Sequence, residues 1–400
     1  MKLAVIGFGQ CGGRIADEFC RLNSRACSHR RINVIIDTFA VNTDTADLSG
    51  LSAIRSDYQH RIVIGARRTS GHGVGKVNEL AAEIAEEDGD KVLDALKSHE
   101  QLYEADAFMV IAGAAGGTGS GSVPVMVQAI KDRFKHRPVY ALLVLPFEHE
   151  EKTDGRTFHN TATCLKGTYS VANAVFLVDN QRYIEKDASL INNIGAINKL
   201  VAAPFYDLLC AGEEKKVKRI GAKLLDAGDI IETLSGWTAI GYGSSQLPVI
   251  KLPFWRRKHF RNKITETHKG LHAMDEAISN LSLKCEPKDS SSALYLLSAP
   301  TKEMNVNLVK DLSEYMGELV PDAIVRYGDY PNGAATLTIT VIVSRLSFVE
   351  KVWKYYDKMP GLIKKNKTNS ERNEANLRKL TDAAELVPSL SRSNGDSQED

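Results

Sequence analysis

The stretch VIAGAAGGTGSGSVPV, Val110 to Val125, runs from a strand-like apolar segment through a glycine loop into a helical one. Gly116, Gly117, Gly119 and Gly121 let the backbone turn its N–H groups inward as a nest, and a helix N-terminus adds roughly half a positive charge. Pro124 sits early in that helix, where its missing N–H is tolerated. Thr118 and Ser120 add hydroxyl donors. No lysine stands where a P-loop would place one; amide dipoles and a metal ion can replace it in holding an anion.

Working outward, apolar runs of strand length recur at KLAVIG (2–7), INVII (32–36), RIVIGA (61–66), AFMVIAG (107–113), VYALLVL (139–145) and AVFLVD (174–179). Segments of helical period separate most of them, so a mostly parallel sheet covered on both faces is expected. The fold class is α/β: a three-layer Rossmann-like domain over 1–188, then a long central helical connector over 189–220 that Pro204 should kink or break. A smaller α+β domain over 221–358 follows, with antiparallel pairing and Asn332-Gly333 as a hairpin turn. Residues 359–400 are too polar to offset their ordering entropy and are expected to be a flexible tail.

At 400 residues the chain exceeds the roughly 250–300 at which one core stops growing, which agrees with two domains. Its 51 basic and 50 acidic residues nearly cancel, so no global charge draws it to nucleic acid, and none is expected as a partner. Cys11, Cys20, Cys27, Cys164, Cys210 and Cys285 form no C-x-x-C pair, and free thiols in a reducing cytoplasm are the simplest reading. The N-terminal apolar run is too short for a signal peptide, and a cytoplasmic location is expected.

Two further loops invite a nucleotide. In GFGQCGGRIADEF, Gly7, Gly9 and Gly12 satisfy G-x-G-x-x-G, and Asp37 is read as ending the next strand, as in a dinucleotide fingerprint. An NAD-dependent oxidoreductase is therefore one alternative, and a plain tight strand-to-helix turn another. TSGHGVGKVNE fails as a Walker A loop, because Ser70 replaces the first glycine and Val77 the magnesium-binding hydroxyl. Lys76 there could reach a terminal phosphate or stay solvated at a helix start.

Taken together, the motifs resemble the tubulin/FtsZ superfamily. AGGTGSG (115–121) resembles its glycine-rich loop and GQCGG (9–13) tubulin's first loop; VNTD (41–44) and PFEHE (146–150) are similar to FtsZ segments, and VDNQRY (178–183) to tubulin's base-contacting loop. LDAGDIIETLSGWTAIGYGSS (225–245) resembles the segment that completes the active site of the neighbouring subunit. The mixture is most similar to the archaeal CetZ group. The resemblance implies GTP/GDP and Mg2+ as ligands. It places Gly9, Gln10, Cys11, Gly12, Gly13 and Arg14, with Ala115, Gly116, Gly117, Thr118 and Gly119, around the α- and β-phosphates. Asn42, Asp44, Gly73 and Gly75 would face the γ-phosphate and the metal, with Asp44 as metal ligand; Glu150 and Arg156 would lie by the ribose, and Asn180 and Asn198 at the guanine edge. The sequence departs from the family at Gly13, at Ile194 and at Leu224.

Asp226 and Asp229, at i and i+3, share a face where a loop enters a helix; spacing alone suits N-capping as well as catalysis. The resemblance implies that they orient the attacking water at the next subunit's nucleotide, so that head-to-tail self-association into filaments switches hydrolysis on, in a role in cell shape or division. A non-hydrolysing GTP-binding scaffold is the other alternative. The basic, aromatic segment 246–264 is read as a lateral filament contact, with a membrane or adaptor contact and a merely solvated loop as rival readings.

Overall fold

The computed structural model describes residues 1–183, 190–247 and 260–358. The polar tail at 359–400 and most of the basic aromatic segment lie outside the described residues. The chain opens with β1 (Leu3–Phe8), α1 (Gly9–Arg30), β2 (Ile35–Asn42), α2 (Thr45–Ser49), β3 (Arg61–Val63), α3 (Ala66–Thr69) and α4 (Asn78–Ser98). It continues through β4 (Ala107–Gly113), α5 (Thr118–Arg133), β5 (Val139–Leu145), α6 (Glu148–Thr153), α7 (Gly155–Val171) and β6 (Ala174–Asp179). The remaining elements are α8 (Leu190–Ala202), α9 (Phe205–Ala211), α10 (Ala227–Thr233), β7 (Gly236–Gln246), α11 (Phe260–Ser279), β8 (Ser290–Ala299), α12 (Val306–Leu319), β9 (Ile324–Pro331) and β10 (Thr336–Leu346).

The strands form one ten-stranded sheet in the order β3-β2-β1-β4-β5-β6-β7-β10-β8-β9. From β3 to β7 every pairing is parallel, and the order 3-2-1-4-5-6 is that of a doubly wound nucleotide-binding sheet. The central strands β1, β5 and β6 are buried at every position, as their unbroken apolar runs require when helices cover both faces. Gly12 lets α1 seat directly on the sheet: a Cβ there would lie 2.1 Å from the Ile111 carbonyl oxygen. The helical connector does break at Pro204, between α8 and α9. Among the described residues no helix is long and apolar enough to cross a membrane.

Three local expectations are corrected. The second strand is not INVII (32–36) but runs from Ile35 to Asn42; Asp37 and Thr38 interrupt the apolar run without ending the strand. Asp37 is thus the third of eight residues in β2, remote from the carboxyl end where a ribose-binding acid has to stand. The third strand is shorter than RIVIGA, ending at Val63, because Gly65 adopts a left-handed φ of 67°. Asn332-Gly333 does not close a hairpin either: β8 lies between β9 and β10, pairing parallel with β9 and antiparallel with β10. The turn passes over the end of β8 instead, where the Asn332 N–H donates to the Ala299 carbonyl (2.9 Å). The burial pattern explains the insertion: β8 is buried at nine of its ten positions and needs a strand on each side, whereas β9 is half exposed and suits the sheet edge.

Candidate active site

A cleft of about 410 Å³ opens above the carboxyl ends of β1, β2, β4 and β5, where the loops of a doubly wound sheet converge. The start of α1 contributes Gly9, Gln10 and Cys11; the exit of β2 contributes Asn42, Asp44 and Asp47; and the loop before α4 contributes Gly73 and Lys76. The glycine loop supplies Ala115, Gly116, Gly117, Thr118 and Gly119, while Glu150, Thr157 and Asn180 close the other side.

The N-termini of two long helices, α1 with 22 residues and α5 with 16, end at this cleft. Neither has a side-chain cap nor an acidic residue in its first turn, so their free N–H groups and positive dipole ends are left for an anion. The loop carbonyls are tied back. Asn160, fully buried on α7, shares its side-chain N–H donors among the carbonyls of Lys76 (2.9 Å), Ala115 (3.2 Å) and Gly116 (3.0 Å). The Ser120 hydroxyl donates to the Gly116 and Gly117 carbonyls, so it serves the loop itself and is not the ligand donor expected from sequence. Thr118 pairs its hydroxyl with that of Thr43 (2.7 Å). With the carbonyls engaged, the amides of the loop are the groups left for an anion. Asn160→Ala is expected to lower stability by about 1–3 kcal/mol, read as a lower midpoint of thermal unfolding; an unchanged midpoint would mean that the loop holds its shape unaided.

The lining also carries three carboxylates, Asp44, Asp47 and Glu150, against one lysine, Lys76, whose Nζ is already 2.9 Å from Asp154. Asp47 accepts from the Gln10 (2.6 Å) and Asn42 (3.1 Å) amides, which fixes those side chains at the rim. Asp44 caps α2 through Oδ1, leaving Oδ2 toward Gly73. Glu150 accepts from the Phe147 N–H through Oε2, which orients its other oxygen. Acid-lined walls around an anion-binding nest suit a divalent cation shared between carboxylate and phosphate oxygens, so the residues fit magnesium. Burial pushes the Cys11 thiol up to about 12, with Arg14 opposing, so it lines the cleft as a protonated side chain and not as a nucleophile.

Not every expected residue reaches the cleft. Gly12 and Gly13 are buried behind it, Arg14 is exposed on α1, and Gly75 (φ 58°) shapes the loop without lining the cavity. Arg156 pairs with Glu79 (2.8 Å), away from the lining, and Asn198 is buried on α8. The side chain of Ile194 lies outside the described residues. Asp47, Thr157 and Asn160 were missed; only the capping pattern Asp44-x-x-Asp47 offered a sequence signal, and it pointed to a helix start.

Asp226 and Asp229 stand elsewhere. The Asp226 carboxylate caps α10 by accepting the Asp229 N–H (2.9 Å), and Asp229 lies 3.6 Å from Arg326. A Cβ on Gly212 would be 3.3 Å from the Asp226 Cα and 3.6 Å from the Met1 nitrogen, so this loop lies by the amino end of β1. The cleft begins at Phe8, at the other end of that strand. Six residues of strand put roughly 20 Å between them.

Residues 2–186 match the Tubulin/FtsZ family, GTPase domain, and residues 187–359 the tubulin-like CetZ C-terminal domain. The chain is 32% identical to the tubulin-like protein CetZ1 of Haloferax volcanii over 371 residues, 88% of this chain and 90% of that protein. It is similar in structure to CetZ1 of H. volcanii as a GDP-bound monomer (TM-score 0.75, 30% identity, 89% of this chain and 97% of that one). It is also similar to CetZ2 of the same organism in a GTPγS-bound protofilament (TM-score 0.78, 28% identity, 92% and 100%).

Proposed function

The chain belongs to the Tubulin/FtsZ family, in its CetZ branch, and from that premise we infer that it is a GTPase that assembles head to tail into cytoskeletal filaments. One observation carries the reading: the nucleotide-ready cleft and the paired acids occupy opposite ends of one sheet, so a single molecule cannot bring them together. Stacking one copy on another sets the acids of the upper beside the cleft of the lower. A heterologous contact of this kind that does not close on itself extends into a filament. The acid-bearing end exposes Val217, Ile220, Leu224 and Ile324, apolar surface that suits coverage by a neighbour.

In this mechanism the amides of Gly9 to Cys11 and Ala115 to Gly119 hold the α- and β-phosphates, while Asn42 and the Gly73 loop face the γ-phosphate. Asp44 would hold Mg2+, which when bound would neutralise phosphate charge. Glu150 accepts from a ribose hydroxyl and Asn180 meets the guanine edge, whose donors and acceptors an amide can match. Asp229 of the second copy orients a water in line with the γ-phosphorus. The water's oxygen bonds to phosphorus, the bond to the β-phosphate oxygen breaks, and GDP and phosphate leave. Hydrolysis then accompanies assembly, in a cytoplasmic role in cell shape or division.

The test is phosphate release against protein concentration. The rate per molecule is expected to rise steeply through the range where light scattering reports polymers and to approach zero in dilute monomer. A flat rate per molecule would reject the shared site, and GTP binding without any turnover would favour the scaffold. An NAD-dependent reading loses its acid, since Asp37 stands at the wrong end of β2.

A further inference from the structure

On the far side of the sheet edge from the cleft, three segments meet at Asp37, His60 and His99. Asp37 is in the amino-terminal half of β2, His60 immediately precedes β3, and His99 caps the carboxyl end of α4. His60 Nε2 lies 3.3 Å from the Asp37 carboxylate and His99 Nδ1 lies 3.0 Å from it. One ligand atom from each residue falls within 4.8 Å of the other two. His60 is 2% exposed and stacks on Phe39 at 5.4 Å; His99 meets Phe39 and His60 edge-on.

We propose that Asp37, His60 and His99 form a binding site for a divalent transition metal of the zinc class. The first argument is spacing. A tetrahedral metal with bonds of about 2.0–2.1 Å holds its ligand atoms about 3.3 Å apart; Asp37 stands 3.3 Å from His60 Nε2 and 3.0 Å from His99 Nδ1, and the three ligand atoms lie within 4.8 Å of one another. The second is electrostatic. His60 has a carboxylate at each nitrogen, because its Nδ1 also lies 2.7 Å from Asp57 Oδ1. A cation between His60 Nε2 and Asp37 would sit among negative charge, with Asp57 holding the other ring nitrogen. That chain of carboxylate, histidine and centre is the outer-shell arrangement that orients metal-bound histidines. The fourth position is left for water.

A metal here would pin the β2–β3 edge to the end of α4 and stabilise the fold by mass action. The full chain, stripped with EDTA and dialysed, is titrated calorimetrically with Zn2+ alone and, separately, with Co2+ followed by its visible spectrum. Expected are one Zn2+ per chain, a higher unfolding temperature, and a tetrahedral cobalt spectrum without a thiolate charge-transfer band. His99→Gln and Asp37→Asn are each expected to weaken that binding about tenfold or more. Absent binding, or binding equal in wild type and His99→Gln, would overturn the site and leave the three residues as a hydrogen-bonded cluster. If the variants do not fold, the wild-type cobalt spectrum decides: nitrogen and oxygen donors support the site, and a thiolate band refutes it.

Discussion

Asp229→Ala is expected to cut GTP turnover by about 100-fold or more while GTP affinity stays within a factor of about two, and to leave filaments that form but do not disassemble. The fold should survive. Asp226 and not Asp229 caps α10, and the Asp229 side chain is 41% exposed, with its carboxylate a loose 3.6 Å from Arg326. What is lost is the group that orients water, in a reaction in which positioning is nearly all that the protein contributes. Phosphate release and sedimentation, each with GTP, read the two effects. Turnover at the wild-type rate would return Asp229 to a helix-terminal role and remove the catalytic reading.

The second large effect is expected at Gly116. A Cβ there has no neighbour within 4 Å and its φ is not left-handed, so Gly116→Ala should fold and bind GTP nearly as the parent does. Gly116→Asp sets a carboxylate in the mouth of the nest, against the phosphates and beside the start of α5. A unit charge pair at 4 Å is worth about 1 kcal/mol in water and about 4 kcal/mol near a protein surface, so affinity should fall about 100-fold or more. Fluorescent-nucleotide titration of the pair separates charge from bulk: equal losses would mean that the loop is only crowded, and no loss in Asp would place the phosphates elsewhere. The two damaged proteins also test each other. Asp229→Ala keeps the nucleotide and Gly116→Asp keeps the acids, so a mixture should recover part of the turnover that neither has alone. Silence in the mixture, with both folded, would contradict a site shared between copies.

The central strands were legible because their residues are apolar without interruption: AFMVIAG, VYALLVL and AVFLVD match β4, β5 and β6 residue for residue. The second strand was not, because Asp37 and Thr38 are polar within it, and Asp37 is accommodated by two histidines, His60 and His99, that come from other segments. The misread turn at Asn332-Gly333 has the same origin. Its local chemistry is that of a turn, and which strand fills the place beside β10 is decided by burial of β8.

The glycine loops, the strand and helix alternation and the acid pair at Asp226 and Asp229 could be read from residue order alone, since each depends on neighbours a few positions apart. Which groups face one another depends on contacts between distant segments. Asn160 tying down a loop 45 positions away, Arg156 pairing with Glu79, and above all the position of Asp226 and Asp229 at the end of the sheet opposite the cleft are visible only in three dimensions. A parallel sheet sends its loops to two opposite ends, and residue order does not record how far apart the two ends lie.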